Sequence, residues 1–302
     1  MKGVAIQATG ISKQFGEVKA LSCVNLSVTD GEIFGLLGPD GAGKTTLFRI
    51  LTTLMLPDSG TAEVCGFDVV KQYQDIRCIS GYMPGRFSLY PDLSVEENLN
   101  FYASLFGGKV SDNFDMIEPI YAQLAPFKKR RAANLSGGMK QKLALCCALI
   151  HRPKVLFLDE PTTGVDAVSR SEFWDILDNI KKSGMPILVS TPYMDEASRC
   201  DRISLINAGH ILETGTLDEI LHRHLMPLLA VKGSNNYNTL LEVRKLTGVA
   251  EAFLFGEYIH VFTDSGFDTE TLRRLPGVDY VAAVEPNIED VFIKIMSHGE
   301  TV

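Results

Sequence analysis

Gly38-Pro39-Asp40-Gly41-Ala42-Gly43-Lys44-Thr45 is the stretch of sequence that decides the fold. It fits the pattern G-x-x-x-x-G-K-[ST] of a phosphate-binding loop (P-loop), which requires a strand before it and a helix after it. Both are predicted here, because the aliphatic run Glu32–Leu37 favours a strand and Lys44–Leu54 favours a helix. The sequence therefore predicts a nucleotide-binding α/β fold.

Each part of this loop has a chemical role toward a nucleotide. Its glycines let backbone N–H groups close around phosphates, next to the positive end of the following helix. Lys44 reaches the β- and γ-phosphates, and the Thr45 hydroxyl is a ligand for Mg²⁺. The alternative is a glycine-rich turn with an exposed lysine, and the strand–helix context argues against it. We predict that ATP with Mg²⁺ is bound by Gly38, Pro39, Asp40, Gly41, Ala42, Gly43, Lys44, Thr45 and Thr46.

Two acidic residues, Asp159 and Glu160, follow the apolar run Lys154–Leu158. An apolar run of this kind is typical of a central parallel strand, and ligands collect at the carboxyl ends of such strands. Asp159 suits the Mg²⁺ shell, and Glu160 suits a catalytic base or orienter for the attacking water. Taken alone, the run is more typical of a core strand before an acidic helix start; with the P-loop present, the catalytic interpretation is favoured instead.

The order of predicted elements indicates two domains. Up to about residue 225 strands alternate with helices, for example helix Arg170–Lys182 before strand Ile187–Thr191, which predicts an α/β core with a parallel sheet. After that point the order β-α-β-β-α-β-α predicts a small ferredoxin-like α+β domain. The segments are Leu228–Lys232, Leu240–Leu246, Ala250–Phe255, Ile259–Thr263, Thr269–Leu275, Tyr280–Val284 and Ile288–Met296. The predicted domains are 1–225 and 226–302.

Composition excludes several classes of protein. The net charge of -8 and the pI of about 5.3 disfavour a nucleic-acid partner and direct docking on anionic lipid. No apolar run approaches the roughly 20 residues that span a bilayer, and the N-terminus lacks a secretory signal, so any membrane role is expected to come through a partner. The six scattered cysteines are interpreted as buried small hydrophobic residues.

A third motif, LSGGMKQ at Leu135–Gln141, distinguishes between P-loop families. Ser136 suits a helix N-cap, and a capped, glycine-flanked helix start is itself an anion site. With the P-loop and the acidic pair in this order, the chain resembles the ABC ATPases over about residues 2–225. The resemblance implies a core with a helical subdomain and an ATP sandwich, in which Ser136, Gly137 and Gly138 act on the nucleotide of a partner cassette. It also implies that Phe15 stacks on adenine and that Thr163–Asp166 bridges the two sites.

Longer segments resemble the ATPases of ABC-2 exporters, above all drug-export ATPases and the first half of the tandem YbhF-type ATPase. They include GYMP at Gly81–Pro84, STPYMDEASRCDRI at Ser190–Ile203 and PNIEDVFIKIM at Pro286–Met296. The resemblance implies an ATPase subunit at the cytoplasmic face of the membrane, attached through ABC-2-type permease subunits and paired with an identical or different cassette. It further implies that Arg86–Tyr90 receives a permease helix; the alternative is that this segment is core of the helical subdomain.

Two positions depart from the family. Gly85 replaces a glutamine that contacts Mg²⁺ and the attacking water, and Pro192 replaces a histidine that faces the γ-phosphate. Asp40 also replaces the usual P-loop asparagine. Losing one preorganised polar group costs about 10²–10³ in rate, so we expect weakened hydrolysis with ATP binding retained. The alternatives are a regulatory ABC scaffold that does not hydrolyse ATP and a soluble ABC protein of translation or DNA repair, although such proteins usually carry two cassettes or a long inserted arm.

Overall fold

A computed structural model describes residues 3–86 and 88–299, and the chain divides into the units Met1–Thr216 and Leu217–Val302. The strands of the first unit are β1 (Val4–Phe15), β2 (Val18–Thr29), β3 (Ile33–Leu37), β4 (Ser59–Val64), β5 (Phe67–Asp68), β6 (Ser80–Met83), β7 (Val155–Asp159), β8 (Ile187–Thr191), β9 (Arg202–Asn207) and β10 (His210–Gly215). Its α-helices are α1 (Lys44–Leu51), α2 (Tyr73–Ile79), α3 (Val95–Leu105), α4 (Phe114–Leu124), α5 (Gly137–Leu149) and α6 (Ala167–Lys182). Short 3-10 helices span Val110–Asn113, Ala125–Phe127, Ala132–Asn134 and Met194–Arg199.

The first unit contains two sheets. The larger has the order β10-β9-β3-β8-β7-β6, in which β9, β3, β8, β7 and β6 are parallel and β10 is antiparallel to β9. The smaller is antiparallel, with the order β2-β1-β4-β5. The predicted α/β core with a parallel sheet is confirmed. Strands β4 and β5 were not predicted, because β5 has only two residues and the alternation of buried and exposed residues in β4 covers only Ala62–Val64.

Strand β7 shows why the parallel sheet is uniformly apolar. All five of its residues are buried, and alternate side chains enter two different cores. Val155 and Phe157 pack in the cluster with residues of β1, β2 and α1, whereas Leu156 and Leu158 pack in the cluster with residues of α3, α5 and α6. Because both faces of the strand are covered, no position along it tolerates a polar side chain until the sheet edge is reached.

Helices α3, α4 and α5 form the helical subdomain that the resemblance implies. Helix α3 begins with a capping box: Ser94 Oγ accepts from Glu97 N at 3.2 Å, and Ser94 N donates to Glu97 Oε2 at 2.8 Å. Leu99 of α3, Ile117 of α4 and Leu143 of α5 are each at most 1% exposed and belong to the same core cluster. These contacts fix the direction of α5, at whose start the LSGGMKQ motif lies.

The second unit comprises α7 (Leu217–Arg223), β11 (Leu228–Gly233), α8 (Asn236–Val243), β12 (Val249–Phe255), β13 (Tyr258–Thr263), α9 (Glu270–Arg273), β14 (Val278–Val284) and α10 (Ile288–Gly299). Its sheet has the order β12-β13-β11-β14, and every neighbouring pair is antiparallel. This is the ferredoxin-like arrangement that the sequence predicts. Helix α7, which the sequence-based boundary assigned to the first domain, contacts α10 and groups with the second unit.

The cysteine interpretation is only partly correct. Cys146 and Cys147 are buried in the core next to the LSGGMKQ motif, and burial raises the pKa of both thiols well above the usual range. Cys23 and Cys78 are exposed, so the expectation that every cysteine is buried is wrong for these two. Within residues 3–86 and 88–299, no helix has the length and apolar character needed to cross a membrane.

Candidate active site

The P-loop joins β3 to α1, and its first and sixth positions require glycine. A Cβ on Gly38 would lie 2.1 Å from the backbone oxygen of Ile206, and a Cβ on Gly43 would lie 2.4 Å from the backbone oxygen of Ala20. Gly43 also has a φ of 105°, in the region that L side chains rarely adopt. The loop is thus held against β2 and β9 by close backbone approaches, and its backbone can turn inward around a ligand.

Lys44 is the first residue of α1 and is only 3% exposed. Its ammonium donates to the backbone oxygens of Gly38 at 2.7 Å and Pro39 at 3.0 Å, and lies 3.1 Å from Glu160 Oε1. A buried ammonium is stable only when it is paired and hydrogen-bonded. These three contacts therefore hold the Lys44 ammonium beside the P-loop. They also bring Lys44 next to Glu160, which is far from it in sequence.

A cavity of about 390 Å³ opens at this point. It is lined by Val18, Lys19, Ala20, Gly41, Ala42, Gly43, Lys44, Thr45, Thr46, Glu160 and Ala208. Phe15 is 47% exposed at the end of β1 and pairs across the hairpin with Val18, so it lies beside this lining. Asp40 is an exposed loop residue. Glycines of the P-loop, a buried lysine and a carboxylate thus meet around one space.

Asp159 and Glu160 end β7 at the same edge of the sheet. Asp159 is 1% exposed, and its Oδ1 accepts a hydrogen bond from Ser190 Oγ at 2.6 Å. The Glu160 N–H donates to the backbone oxygen and to Oγ of Ser190, both at 3.0 Å. Glu160 has a φ of 51°, an uncommon conformation for a residue with a side chain. The adjacent strand β8 therefore holds both acidic residues in place.

Sequence reasoning missed Ser190. Its position was visible as a polar residue closing the apolar run Ile187–Val189, but only the pairing of β7 with β8 shows that its hydroxyl meets the acidic pair. Tyr82, on the other neighbour of β7, is also close to the pair. Burial, and secondarily the charge of Asp159, raises the pKa of Tyr82 to about 12. Ser190 and Tyr82 lie on the two strands that neighbour β7, and a local sequence pattern does not reveal which strands are neighbours in a sheet.

The two departures from the family each follow a strand that neighbours β7 in the sheet. Gly85 follows β6, and a Cβ built on it would lie 3.1 Å from the backbone oxygen of Asp159 and 3.7 Å from Glu160 Cβ. Pro192 directly follows β8 and precedes the 3-10 helix Met194–Arg199. Neither residue can offer a side-chain hydrogen bond to a ligand.

The LSGGMKQ motif lies apart from the cavity of its own chain. Ser136 caps α5 by accepting from Met139 N at 3.3 Å, and both Ser136 and Gly137 are exposed. A Cβ on Gly137 would lie 3.2 Å from the backbone oxygen of Gly164, so the motif packs against the Thr163–Asp166 loop. Of the described residues that line the cavity, none belongs to this motif.

In the segment Arg86–Tyr90, Phe87 lies outside the described residues. Leu89 is 5% exposed and belongs to the core of the helical subdomain. Tyr90 is 48% exposed, and its ring meets Phe101 edge-on at a centroid distance of 4.7 Å. Leu89 therefore belongs to the core of the helical subdomain, as one interpretation of this segment expects. Tyr90 is accessible at the surface, as the other interpretation, contact with a permease helix, requires.

Comparison with known proteins gives four findings. A family model described as ABC transporter matches residues 21–163. The Escherichia coli K12 protein named probable multidrug ABC transporter ATP-binding protein YbhF is 37% identical over 311 residues, covering 100% of this chain and 54% of YbhF, so this chain spans about half of that relative. The daunorubicin resistance ATP-binding protein DrrA3 of Streptomyces coeruleorubidus is 34% identical over 328 residues, covering 100% of this chain and 99% of DrrA3. A solved structure described as the ATP binding subunit of an ABC transporter superposes with a TM-score of 0.66 at 28% identity, covering 73% of this chain and 93% of that chain.

Proposed function

This chain belongs to the family of ABC transporter ATP-binding proteins, and from that premise we propose that it is the ATP-binding subunit of an ABC-2-type exporter. It couples ATP binding and hydrolysis at the cytoplasmic face of the membrane to transport by permease subunits. The observation that carries the proposal is the cavity that joins Lys44, Thr45 and Glu160 at the carboxyl ends of the parallel strands. Relatives named for multidrug transport and daunorubicin resistance support export as the direction.

The oxygen ligands at this edge fit Mg²⁺. Asp159 offers one buried carboxylate and Thr45 one hydroxyl, and the described part of the chain has no cluster of three or more His, Cys, Asp or Glu residues that could hold a metal. Such a sparse set suits Mg²⁺, which keeps several waters and takes substrate phosphates as ligands. We propose Thr45 and Asp159 as its protein ligands. When bound, the ion neutralises charge on the transferring phosphoryl group.

The chain's own side chains divide the remaining work. The Lys44 ammonium, held at 3.1 Å from Glu160, has the position and charge to bind the β- and γ-phosphates. A bound nucleotide offers Lys44 a second anionic partner, which frees Glu160 to orient or deprotonate the attacking water. The backbone N–H groups of the P-loop complete the phosphate site.

Hydrolysis at this site is proposed to be slow. Gly85 and Pro192 stand beside the acidic pair and at the end of β8, where the family has polar side chains. Each missing preorganised group costs about 10²–10³ in rate, although two losses in one site do not simply add. The P-loop, Lys44 and Asp159 remain, so binding is retained.

We propose an asymmetric pair of cassettes. The exposure of Ser136 and Gly137 supports a role for them in completing a partner's site, and most hydrolysis then occurs at the partner's P-loop. In the purified assembly, Ser136→Ala should reduce ATP turnover strongly, whereas Glu160→Gln should reduce it little. The opposite ranking favours a homodimer that uses Glu160.

A second experiment restores the missing groups together, Gly85→Gln with Pro192→His. Because a Cβ at position 85 lies 3.1 Å from the backbone oxygen of Asp159, the loop needs to shift by only a few tenths of an ångström. Turnover by the isolated chain should rise. Equal rates for the wild type and the double variant would contradict the weakened site, and no turnover in any assembly would favour a regulatory scaffold.

The permease contact can be tested at Tyr90. A photo-crosslinking residue at position 90 should capture an integral membrane protein in native vesicles. The same residue at Tyr237, which is 64% exposed in the second unit, is the control for non-specific capture. Equal capture at both positions would count against docking at Tyr90.

A further inference from the structure

One arginine of α6 contacts three residues in the segment that follows β8. Arg170 Nη2 donates to Asp195 Oδ2 at 2.8 Å, and Arg170 Nε lies 3.3 Å from Glu196 Oε1. The guanidinium also lies over the ring of Tyr193, with Cζ 4.4 Å from the ring centroid. A planar guanidinium can pair with carboxylates and stack on an aromatic face at once, which an ammonium cannot do. Three residues of one short segment therefore depend on the same side chain.

Hydrogen bonds also join this segment to Thr191 at the end of β8. Glu196 is 3% exposed, and its Oε2 accepts from Thr191 Oγ1 at 2.6 Å. The Tyr193 N–H donates to the same Thr191 oxygen at 3.1 Å. Among the described residues Glu196 Oε1 has no hydrogen-bond partner, so its ion pair with Arg170 supplies the compensating charge. The folded state is strongly destabilised when a buried carboxylate loses such a partner.

The other end of the connection lies next to the LSGGMKQ motif. Arg170 is in the first turn of α6, which Asp166 caps by accepting from Ser169 N at 3.0 Å. A Cβ on Gly138 would lie 2.7 Å from Ser169 Oγ, so the motif rests on this turn. A single helical turn thus touches the motif through Ser169 and the segment after β8 through Arg170.

We infer that Arg170 is a positioning residue for the switch segment, Thr191–Glu196, and connects its position to the LSGGMKQ motif. The inference rests on the proposed function, since it concerns turnover of ATP. Pro192 has no polar side chain with which a bound nucleotide could fix this segment. Its placement after β8 therefore rests on contacts within the protein, among them those of Arg170 with Tyr193, Asp195 and Glu196.

Arg199 provides a matched control. It also joins the 3-10 helix Met194–Arg199 to α6, through Nη2 contacts to Asp175 at 2.5 Å and Asp178 at 3.0 Å, but these contacts do not involve the Tyr193, Glu196 or Thr191 side chains. Arg170→Gln and Arg199→Gln each remove one guanidinium bridge between the same two elements. A general weakening of the packing would affect both variants alike.

The full-length chain is compared as wild type, Arg170→Gln and Arg199→Gln, with and without a non-hydrolysable ATP analogue. Hydrogen exchange is followed at the Tyr193 and Glu196 amides, and kcat and KM for ATP are measured in parallel. We expect Arg170→Gln to lower kcat by about 10- to 100-fold through misplacement, with KM within about twofold, and to speed hydrogen exchange at these amides both with and without the analogue. Arg199→Gln should stay within about twofold of the wild type in both measurements.

Equal effects of the two variants, or unchanged protection in Arg170→Gln, would overturn the inference. If the wild type turns over ATP and Arg170→Gln alters nothing, the inference fails while the proposed function stands. If the wild type binds the analogue without turnover, the proposed hydrolysis fails and the exchange result alone decides the role of Arg170. If Arg170→Gln does not fold, the same comparison is made with Arg170→Lys. This variant keeps the positive charge but lacks the planar guanidinium that pairs with two carboxylates and stacks on Tyr193.

Discussion

Replacing Ser190 by alanine tests how the acidic pair is held. Ser190 is fully buried, and its hydroxyl donates to Asp159 Oδ1 at 2.6 Å. Alanine leaves the 1%-exposed Asp159 carboxylate without this donor, whereas the Glu160 N–H keeps its bond to the backbone oxygen of residue 190. The substitution therefore removes one hydrogen bond to a buried charge and leaves the strand pairing intact.

The structure sets the size of the effect. A hydrogen bond to a charged group contributes about 1.5–3 kcal/mol, so Ser190→Ala should lower the free energy of unfolding by about that amount. For a unit of this size the melting temperature should fall by about 3–12 °C, at about 2–4 °C per kcal/mol. Groups that orient a metal ligand change metal affinity by about 10- to 100-fold, and we expect a loss of that size in the affinity for Mg²⁺ in the presence of ATP. Thermal unfolding and Mg²⁺ titration with a fluorescent ATP analogue measure the two effects.

Ser204→Ala is the control. Ser204 is also fully buried in the parallel sheet, on β9, and its Oγ lies 2.6 Å from Thr214 Oγ1. This bond joins two neutral groups, so its loss should cost about 1 kcal/mol and leave Mg²⁺ affinity unchanged. If both variants bind Mg²⁺ with the same affinity, Ser190 does not orient the acidic pair and the reasoning is refuted.

Three further outcomes are expected. Lys44→Ala should weaken ATP binding by about 2–5 kcal/mol, and wild-type affinity in an equilibrium titration would contradict the P-loop assignment. The native state holds the Tyr82 proton more tightly than the unfolded chain, because the pKa is raised from 10.0 to about 12. This stabilisation is complete below pH 10 and is lost as the pH rises toward 12. In urea titrations, Tyr82→Phe should therefore lose less of its free energy of unfolding at alkaline pH than the wild type. The same alkaline loss in both proteins would argue against a raised pKa of Tyr82. A chain that ends at Thr216 should keep ATP affinity within about twofold, because every proposed phosphate contact lies earlier; a folded but non-binding truncation would show that the second unit contributes to the site.

Local patterns predicted the elements that local interactions stabilise. The glycines of the P-loop and the apolar run before Asp159 each specify backbone geometry within a few residues, and each is found where it was expected. Boundaries were less accurate, because fraying and caps depend on neighbours in space. Helix α1 ends at Leu51 rather than at Leu54.

The sequence by itself determined the nucleotide class, the alternation of strands and helices, and the ferredoxin-like order of the second unit. Only the tertiary structure decided which side chains meet: Lys44 with Glu160 at 3.1 Å, Ser190 with Asp159 at 2.6 Å, and Arg170 with the segment after β8. The reason is physical. Periodicity and capping report contacts within a few residues, whereas strand order is set by burying both faces of the sheet at once, a condition on the whole chain that no local pattern contains.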